Sequence, residues 1–269
     1  MQTDKLIDRV QDILRDVGAA LLTMRAKGSV GGTWHATQLK SEADLIAEAL
    51  IMRGLHALSP SLPVVSEEDI ASHAIDRFSR YWLVDPIDGT ASFCGGYSGF
   101  VTQLALMEGT RPVLGMVYGP TLDLMYVAEQ GGGASVNGAK LTVDWQGGDV
   151  VLIDNYPEPR GIAQLLHEKL PCGGYLESGS IGLKICRVAD GQAALFVKDV
   201  TVRDWDLAPG HLILNEAGGV LVDLRGHEIN YGRSLEQTGG LIAAASQGIV
   251  NQVKNLHLKV IARGCGAPR

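Results

Sequence analysis

Two aspartates lie close together at the end of an apolar segment, in the sequence WLVDPIDGTASF. Asp85 and Asp88 enclose a proline and are followed by Gly-Thr. Proline fixes φ and stiffens the backbone, whereas glycine can adopt a positive φ and let the chain approach a ligand closely. Carboxylates, a carbonyl and water are the oxygen ligands that Mg²⁺ takes, usually together with a substrate phosphate. The segment therefore predicts a metal site for phosphate chemistry, with an acidic turn as the alternative.

Further carboxylates occur where predicted strands or helices begin or end: Asp44 in KSEAD, Glu67-Glu68 in VVSEED and Asp206 in VRDWDLAPGH. Each also has a purely structural interpretation. Asp44 follows Ser41 at capping-box spacing, Asp206 is a candidate N-cap, and the glutamates are typical of a solvated turn. As a set they would hold two ions that activate a water and stabilise a leaving oxygen.

Haloacid-dehalogenase-like phosphatases offer a competing interpretation, because they carry DxDGT after an apolar strand, with the first Asp as nucleophile. Here the spacing is DxxDGT, one residue longer. The two carboxylates would not keep the relative direction that a nucleophile and an acid need, which disfavours this chemistry.

The elements that position these residues follow from hydrophobic spacing. Helices are predicted over 4–25 and 41–58, with a loop over 28–37 between them, and short strands are predicted in PVVSEED and up to residue 84. Three successive strands follow over 99–138, with turns at the glycines. Residues 179–191, 206–219 and 248–261 are predicted helices, and 149–154, 193–199 and 241–246 are predicted strands. This order predicts a mixed α/β (α+β) layered fold.

The Gly147-Gly148 pair is the most plausible seam between two halves. Residues 1–146 are predicted to form an N-terminal α+β half with most of the metal ligands. Residues 147–269 form a C-terminal α/β half with Asp206 and the substrate side, and together they make one catalytic unit.

Bulk composition narrows the class of protein. The formal net charge of -7 argues against a nucleic-acid polymer or a membrane surface as partner, but not against a small phosphorylated metabolite beside a bound cation. The four cysteines have no zinc or disulfide spacing, and the charged, amphipathic N-terminus does not resemble a signal peptide. A reducing cytoplasm is the expected location.

The sequence resembles the inositol monophosphatase superfamily of Mg²⁺-dependent, lithium-sensitive phosphatases. SEED, DPIDGT and WDLAPGHLILNEAGG carry the resemblance, and they occur in the family's order. The resemblance implies an αβαβα layered sandwich, two or three Mg²⁺ ions, a homodimer and in-line attack of an activated water without a covalent phosphoenzyme.

The resemblance also implies roles for individual residues. The metal ligands would be Glu67, Asp85, the Ile87 carbonyl, Asp88 and Asp206. Asp44, Thr90 and Glu67 would be catalytic, with Asp44 and Thr90 acting on the water. The substrate side would comprise Gly89, Thr90, Gly179, Ser180, Asp199 and Asp206.

Within this superfamily, GSIGLKICRVADGQAALF is most similar to 3'(2'),5'-bisphosphate nucleotidases of the CysQ type. A bisphosphate nucleotide is therefore the expected substrate, with an inositol, sugar or histidinol phosphate as the alternative. The lead-in WHATQLKSEAD departs from the family's K-x-D-x-S-P-V-T, since Trp34 and Ala36 replace the Lys and Asp. That departure leaves open a specialised phosphatase or a non-catalytic metal- or phosphate-binding module.

Overall fold

The computed structural model describes residues 3–28, 31–35, 38–74, 79–232 and 234–264. Within these ranges the chain forms two large β-sheets, two short ribbons and seven α-helices. No helix among the described residues is long and apolar enough to cross a bilayer. The predicted mixed α/β layered fold is confirmed.

The first half of the chain builds a seven-stranded sheet in sequential order. Its strands are β3 (Val64–Ser66), β4 (Arg80–Asp88), β5 (Val101–Glu108), β6 (Arg111–Gly119), β7 (Leu124–Glu129), β8 (Gly133–Val136) and β9 (Ala139–Leu141). Before it come α1 (Thr3–Ala26), the ribbon β1 (Gly32–His35) with β2 (Gln38–Ser41), and α2 (Glu42–Leu58). A 3₁₀ turn (Ile70–Ala74) and the short helix α3 (Thr90–Cys94) flank β4.

The second half builds a five-stranded sheet in the order β11-β10-β12-β16-β14. These strands are β10 (Val150–Asp154), β11 (Cys172–Glu177), β12 (Leu195–Lys198), β14 (Val220–Val222) and β16 (Leu241–Ala244). The ribbon pairs β13 (Val202–Arg203) with β15 (Glu236–Gln237). The helices are α4 (Ile162–Lys169), α5 (Ile181–Ala189), α6 (Asp204–Glu216) and α7 (Gln247–Gly264).

Two apolar cores bind these elements into five layers. One core joins α1 and α2 to one face of the seven-stranded sheet, through residues such as Leu14, Ile51 and Trp82. The other core lies between the two sheets and surrounds α5 and α6, with α4 and α7 covering the outer face of the five-stranded sheet. Alternating side chains of β4 explain the division, since Trp82 and Val84 belong to the first core while Tyr81 and Leu83 belong to the second.

The strand prediction around the aspartate pair was too short. β4 does not end at residue 84 but continues to Asp88, with an irregularity between Asp85 and Asp88. Asp85 lies opposite Gln103 and Asp88 opposite Val101, so three steps on β4 match two on β5. This is a β-bulge, and because it adds one residue, it returns both aspartates to the same face of the sheet.

Other local predictions were also incomplete. The predicted loop over 28–37 contains β1, and the three strands predicted over 99–138 are four, β5 to β8. β9 follows at Ala139–Leu141, and both β8 and β9 come after tight glycine turns. α6 begins at Asp204, two residues before the predicted start. The first core lies within residues 10–125 and the second draws on both halves, while the division near residue 147 stays a prediction.

Candidate active site

The bulge in β4 places two carboxylates over one buried amide. Gln103 is fully buried on β5, and its Nε2 lies 3.4 Å from Asp85 Oδ2, 3.4 Å from Asp88 Oδ2 and 3.1 Å from the Trp205 carbonyl oxygen. Trp205 lies in the first turn of α6, next to Asp206. Gln103 therefore links the aspartate pair to the helix that carries the third aspartate.

Strand register brings Glu67 to the same edge of the sheet. β3 runs parallel to β4 with Ser66 opposite Val84, and the Glu67 N–H donates to the Val84 carbonyl at 3.1 Å. The next residues along the two strands, Glu67 and Asp85, are thus level with each other. Burial and the nearby charge of Glu67 both raise the pKa of Asp85.

Asp88 is fixed by the start of α5. Its Oδ2 accepts hydrogen bonds from the Ser180 hydroxyl at 2.6 Å and from the Gly182 N–H at 2.7 Å. Ser180 is the N-cap residue of α5, and its Oγ also accepts from the Leu183 N–H at 2.9 Å. The Ser180 hydroxyl is thereby engaged inside the protein, and its predicted contact with a substrate stays a prediction.

Asp44 and Asp206 occupy equivalent places on their helices. Each is the third residue of its helix, and each accepts the N–H of the residue before the helix with one oxygen, from Ser41 and from Arg203, both at 2.7 Å. The capping-box interpretation of Asp44 is therefore correct. The N-cap interpretation of Asp206 is wrong, because Arg203 is the N-cap and Asp206 accepts its backbone N–H from the third position of α6. In Asp44, Oδ2 accepts the capping hydrogen bond, and the other oxygen, Oδ1, lies 3.2 Å from Thr90 Oγ1.

The negative charges of this cluster repel one another. Burial raises the pKa of Asp85 well above its usual value, and the charges of Glu67, Asp88 and Asp206 raise it further. Burial likewise raises the pKa values of Asp88 and Asp206. Carboxylates packed together at low dielectric are unfavourable as anions unless a cation compensates them.

The donor set fits a hard divalent cation. All of the candidate ligands offer oxygen, and Asp85 Oδ1 is buried with no hydrogen-bond partner among the described residues. Among the residues that the structure describes, no group of three or more His, Cys, Asp or Glu side chains is arranged so that it could hold a metal ion as it stands. The fit thus rests on the oxygen ligands, the repulsion between the carboxylates and the unpartnered Oδ1 of Asp85.

Three glycines pack backbone against backbone beside this cluster. A Cβ on Gly99 would lie 2.3 Å from the Gly179 nitrogen, and one on Gly179 would lie 2.2 Å from the Gly99 oxygen. Gly89, with φ of +92°, would place a Cβ 2.9 Å from the same oxygen. Only glycine allows the loop after β4 and the loop before α5 to approach so closely.

A cavity of about 860 Å³ opens next to these glycines. Its lining includes Gly89, Gly99, Gly179 and Ser180, so it adjoins the residue that holds Asp88. A larger cavity of about 960 Å³ around Asp223 and Lys254 shares no lining residue with it.

The structure brings together most of the predicted residues, and their roles stay predictions. Asp199 is exposed after β12 and does not line the cavity, and Ala36 lies outside the described residues. Sequence reasoning missed Gln103 and Gly99. Gln103 carried a usable signal, because a polar residue within the apolar strand VTQLALM must find a partner once buried.

Comparison with known proteins identifies the family. A family model described as the inositol monophosphatase family matches residues 4–260.

The chain belongs to the inositol monophosphatase family.

Its relatives include bisphosphate nucleotidases and inositol monophosphatases. The chain is 33% identical to the 3'(2'),5'-bisphosphate nucleotidase CysQ of Salmonella typhimurium, covering 84% of this chain and 94% of the relative. It is 30% identical to the Nus factor SuhB of Pasteurella multocida, covering 81% and 84%. The solved structure of the Thermotoga maritima inositol monophosphatase superposes with a TM-score of 0.82 at 26% identity, covering 97% and 99%. The resemblance seen in the sequence is confirmed.

Proposed function

We propose that this protein is a Mg²⁺-dependent phosphomonoesterase that hydrolyses a 3'(2'),5'-bisphosphate nucleotide by attack of an activated water. The observation that carries the proposal is the cluster of buried, mutually repelling carboxylates beside the glycine-lined cavity. The 33% identity to a bisphosphate nucleotidase over nearly its whole length supports the substrate class.

The cation site would use Glu67, Asp85, Asp88 and Asp206, with the Ile87 carbonyl as an additional ligand. Mg²⁺ held there would supply the positive charge that neutralises the phosphate and acidifies the attacking water. Gln103, Ser180 and Gly182 orient the carboxylates through their hydrogen bonds. Such outer contacts set the direction in which the ligand oxygens point.

Asp44 and Thr90 are proposed to handle the water. Thr90 Oγ1 lies 3.2 Å from Asp44 Oδ1 and 3.1 Å from the Ile87 carbonyl oxygen. When the hydroxyl donates to Asp44, its lone pairs are free to accept a hydrogen bond from a water molecule and so orient that water. Burial raises the pKa of Asp44, which makes its carboxylate a stronger base.

The phosphate would be held by backbone rather than by arginine. α3 starts at Thr90, so the N–H groups at its beginning have no partner within the helix. Gly89 lines the cavity, so the backbone that leads into α3 borders it. We propose that the N–H groups of Gly89 and Thr90 bind phosphate oxygens.

Several finer properties are proposed with this activity: inhibition by lithium, a homodimer and a cytoplasmic location. A non-catalytic module is the alternative of another class, and a relative named as a Nus factor keeps it relevant. The retained acids and the Asp44–Thr90 contact favour catalysis over that alternative.

The test is phosphate release from 3'-phosphoadenosine 5'-phosphate, inositol 1-phosphate, histidinol phosphate and fructose 1,6-bisphosphate, with Mg²⁺ and with EDTA. We expect Mg²⁺-dependent turnover that is fastest for the bisphosphate nucleotide. Fastest turnover of another substrate would reassign the substrate class, and no turnover of any would refute the enzyme.

A further inference from the structure

We propose that the ring of Tyr156 is the platform on which the nucleobase of the substrate stacks. This inference rests on the proposed function, because it assigns a part of the same cavity to one part of the proposed substrate. Tyr156 lies two residues after the end of β10, lines the cavity and leaves 42% of its surface exposed.

The exposed lining residues of the cavity, which form its rim, include apolar side chains beside polar ones such as Asn155, Glu177 and Gln192. Large exposed apolar side chains gather around it, namely Tyr97 (66% exposed), Leu122 (37%), Tyr156 (42%) and Leu176 (37%). A polyhydroxylated ring such as inositol gains little from such a rim, because each buried hydroxyl needs a hydrogen-bond partner. A flat heteroaromatic base gains from it by burial and by stacking.

Several contacts hold Tyr156 in place. Pro157 restricts the backbone before it to extended conformations, and the Tyr175 hydroxyl donates to the Tyr156 carbonyl at 2.8 Å. The Arg160 guanidinium lies 4.6 Å from the ring centroid and the Lys198 ammonium 5.8 Å from it. Both cations lie outside the cavity lining, so they support the ring and leave its cavity side for a second aromatic group.

The neighbouring residue ties this platform to the catalytic end. Asn155 also lines the cavity, and its Oδ1 accepts a hydrogen bond from the buried Lys184 ammonium. The same ammonium donates to the Ser178 carbonyl at 3.3 Å, just before Gly179 and Ser180. The loop with Tyr156 and the loop that supports Asp88 are thus joined through one side chain.

The experiment compares wild type, Tyr156→Ala and Tyr156→Phe with 3'-phosphoadenosine 5'-phosphate and with inositol 1-phosphate. Stacking on an aromatic side chain is worth about 1–3 kcal/mol per base, so Tyr156→Ala should raise KM for the nucleotide about 5-fold to 150-fold. KM for inositol 1-phosphate should change by less than about twofold, and Tyr156→Phe should keep nucleotide binding, because the ring remains.

Two controls separate the outcomes. Leu22→Ala removes an exposed apolar side chain that does not line the cavity and should leave both KM values unchanged. Tyr97→Ala tests the other aromatic residue of the rim. An unchanged nucleotide KM in Tyr156→Ala, an equal rise for both substrates, or a selective rise only in Tyr97→Ala would each overturn the assignment.

Binding of adenosine 5'-phosphate, measured by calorimetry, keeps this inference distinct from the proposed reaction. If the protein hydrolyses no phosphomonoester but binds adenosine 5'-phosphate, and Tyr156→Ala weakens that binding at least about fivefold, the platform stands while the proposed function fails. If the nucleotide is hydrolysed and Tyr156→Ala binds adenosine 5'-phosphate as wild type does, the platform fails while the function stands. Absence of binding to wild type refutes the platform as well.

Discussion

The Ser180 hydroxyl donates a hydrogen bond of 2.6 Å to Asp88 Oδ2. The two residues lie far apart in sequence, since Asp88 ends β4 and Ser180 precedes α5. Ser180 sits at φ of +56°, a conformation that residues other than glycine rarely adopt. Its second bond, from the Leu183 N–H, caps α5. One residue therefore starts a helix and orients a candidate metal ligand.

Replacing this serine should weaken the cation site. Ser180→Ala removes the hydrogen bond to Asp88, and loss of such outer-shell contacts typically costs about 10–100-fold in metal affinity or activity. A Mg²⁺ titration of the phosphatase activity measures the effect. Ser178→Ala is the matched control, since the Ser178 hydroxyl donates to the neighbouring Gly179 carbonyl and not to a carboxylate of the cluster. Equal Mg²⁺ dependence in both variants would contradict the assigned role.

The close approach of two glycine loops gives a steric prediction. Gly99→Ala would place a Cβ 2.3 Å from the Gly179 nitrogen and force the two loops apart. We expect a loss of about 1–3 kcal/mol in the free energy of unfolding and at least a tenfold fall in kcat/KM. Urea unfolding and steady-state kinetics measure the two effects. Gly119→Ala is the control, because its new Cβ would meet its nearest neighbour at an ordinary 3.8 Å; similar behaviour of both variants would refute the steric account.

The carboxylate cluster predicts how stability depends on pH without metal. The folded-state pKa values of Asp85, Asp88 and Asp206 are raised, so the folded protein binds more protons than the unfolded chain. Stability should therefore be greatest below the unfolded value near 3.8, as far as these groups contribute, and fall as pH rises through the raised values. Urea unfolding in EDTA between pH 5 and pH 8 should show a steeper fall for wild type than for Asp85→Asn.

The same unfolding experiment is repeated with Mg²⁺ and with a surface variant as control. Mg²⁺ should stabilise wild type most at the higher pH, where the carboxylates are ionised. Asp12→Asn, at an exposed position on α1, should keep the wild-type slope. A wild-type slope in Asp85→Asn would show that the cluster does not carry the effect.

Lys184 predicts the opposite pH dependence. Burial lowers the pKa of this ammonium to about 7, so the folded state binds fewer protons than the unfolded chain between pH 7 and the usual 10.5. Its contribution to stability therefore rises with pH across that interval. Lys184→Met should flatten this rise, measured by urea unfolding from pH 7 to pH 10, and lower kcat/KM by releasing Asn155 and the Ser178 carbonyl. Lys5→Met is the control on the exposed start of α1, and the account fails if both variants keep the wild-type pH dependence.

Much of the fold follows from local patterns in the sequence. The spacing of apolar residues predicts α1 and α2 closely, and the short apolar runs predict β3, β10, β12 and β16. β8 and β9 were missed because each is very short and gains its stability from pairing with a neighbour rather than from its own pattern.

The residues of the candidate site could be predicted from the sequence, but the contacts that orient them could not. Asp85 and Asp88 are visible in the sequence, whereas the bulge that turns them to one face depends on pairing with β5. Gln103 and Gly99 act through contacts with distant segments, at Trp205 and Gly179, and no local pattern reports such contacts.

The most direct test of the account is phosphate release from 3'-phosphoadenosine 5'-phosphate by wild type and Asp88→Asn, with the thermal melt of each recorded in parallel. The account predicts Mg²⁺-dependent turnover by wild type that EDTA abolishes, no measurable turnover by Asp88→Asn, and closely similar melting temperatures. Full activity of Asp88→Asn, or wild-type turnover that EDTA leaves unchanged, would contradict the carboxylate site as the centre of the reaction.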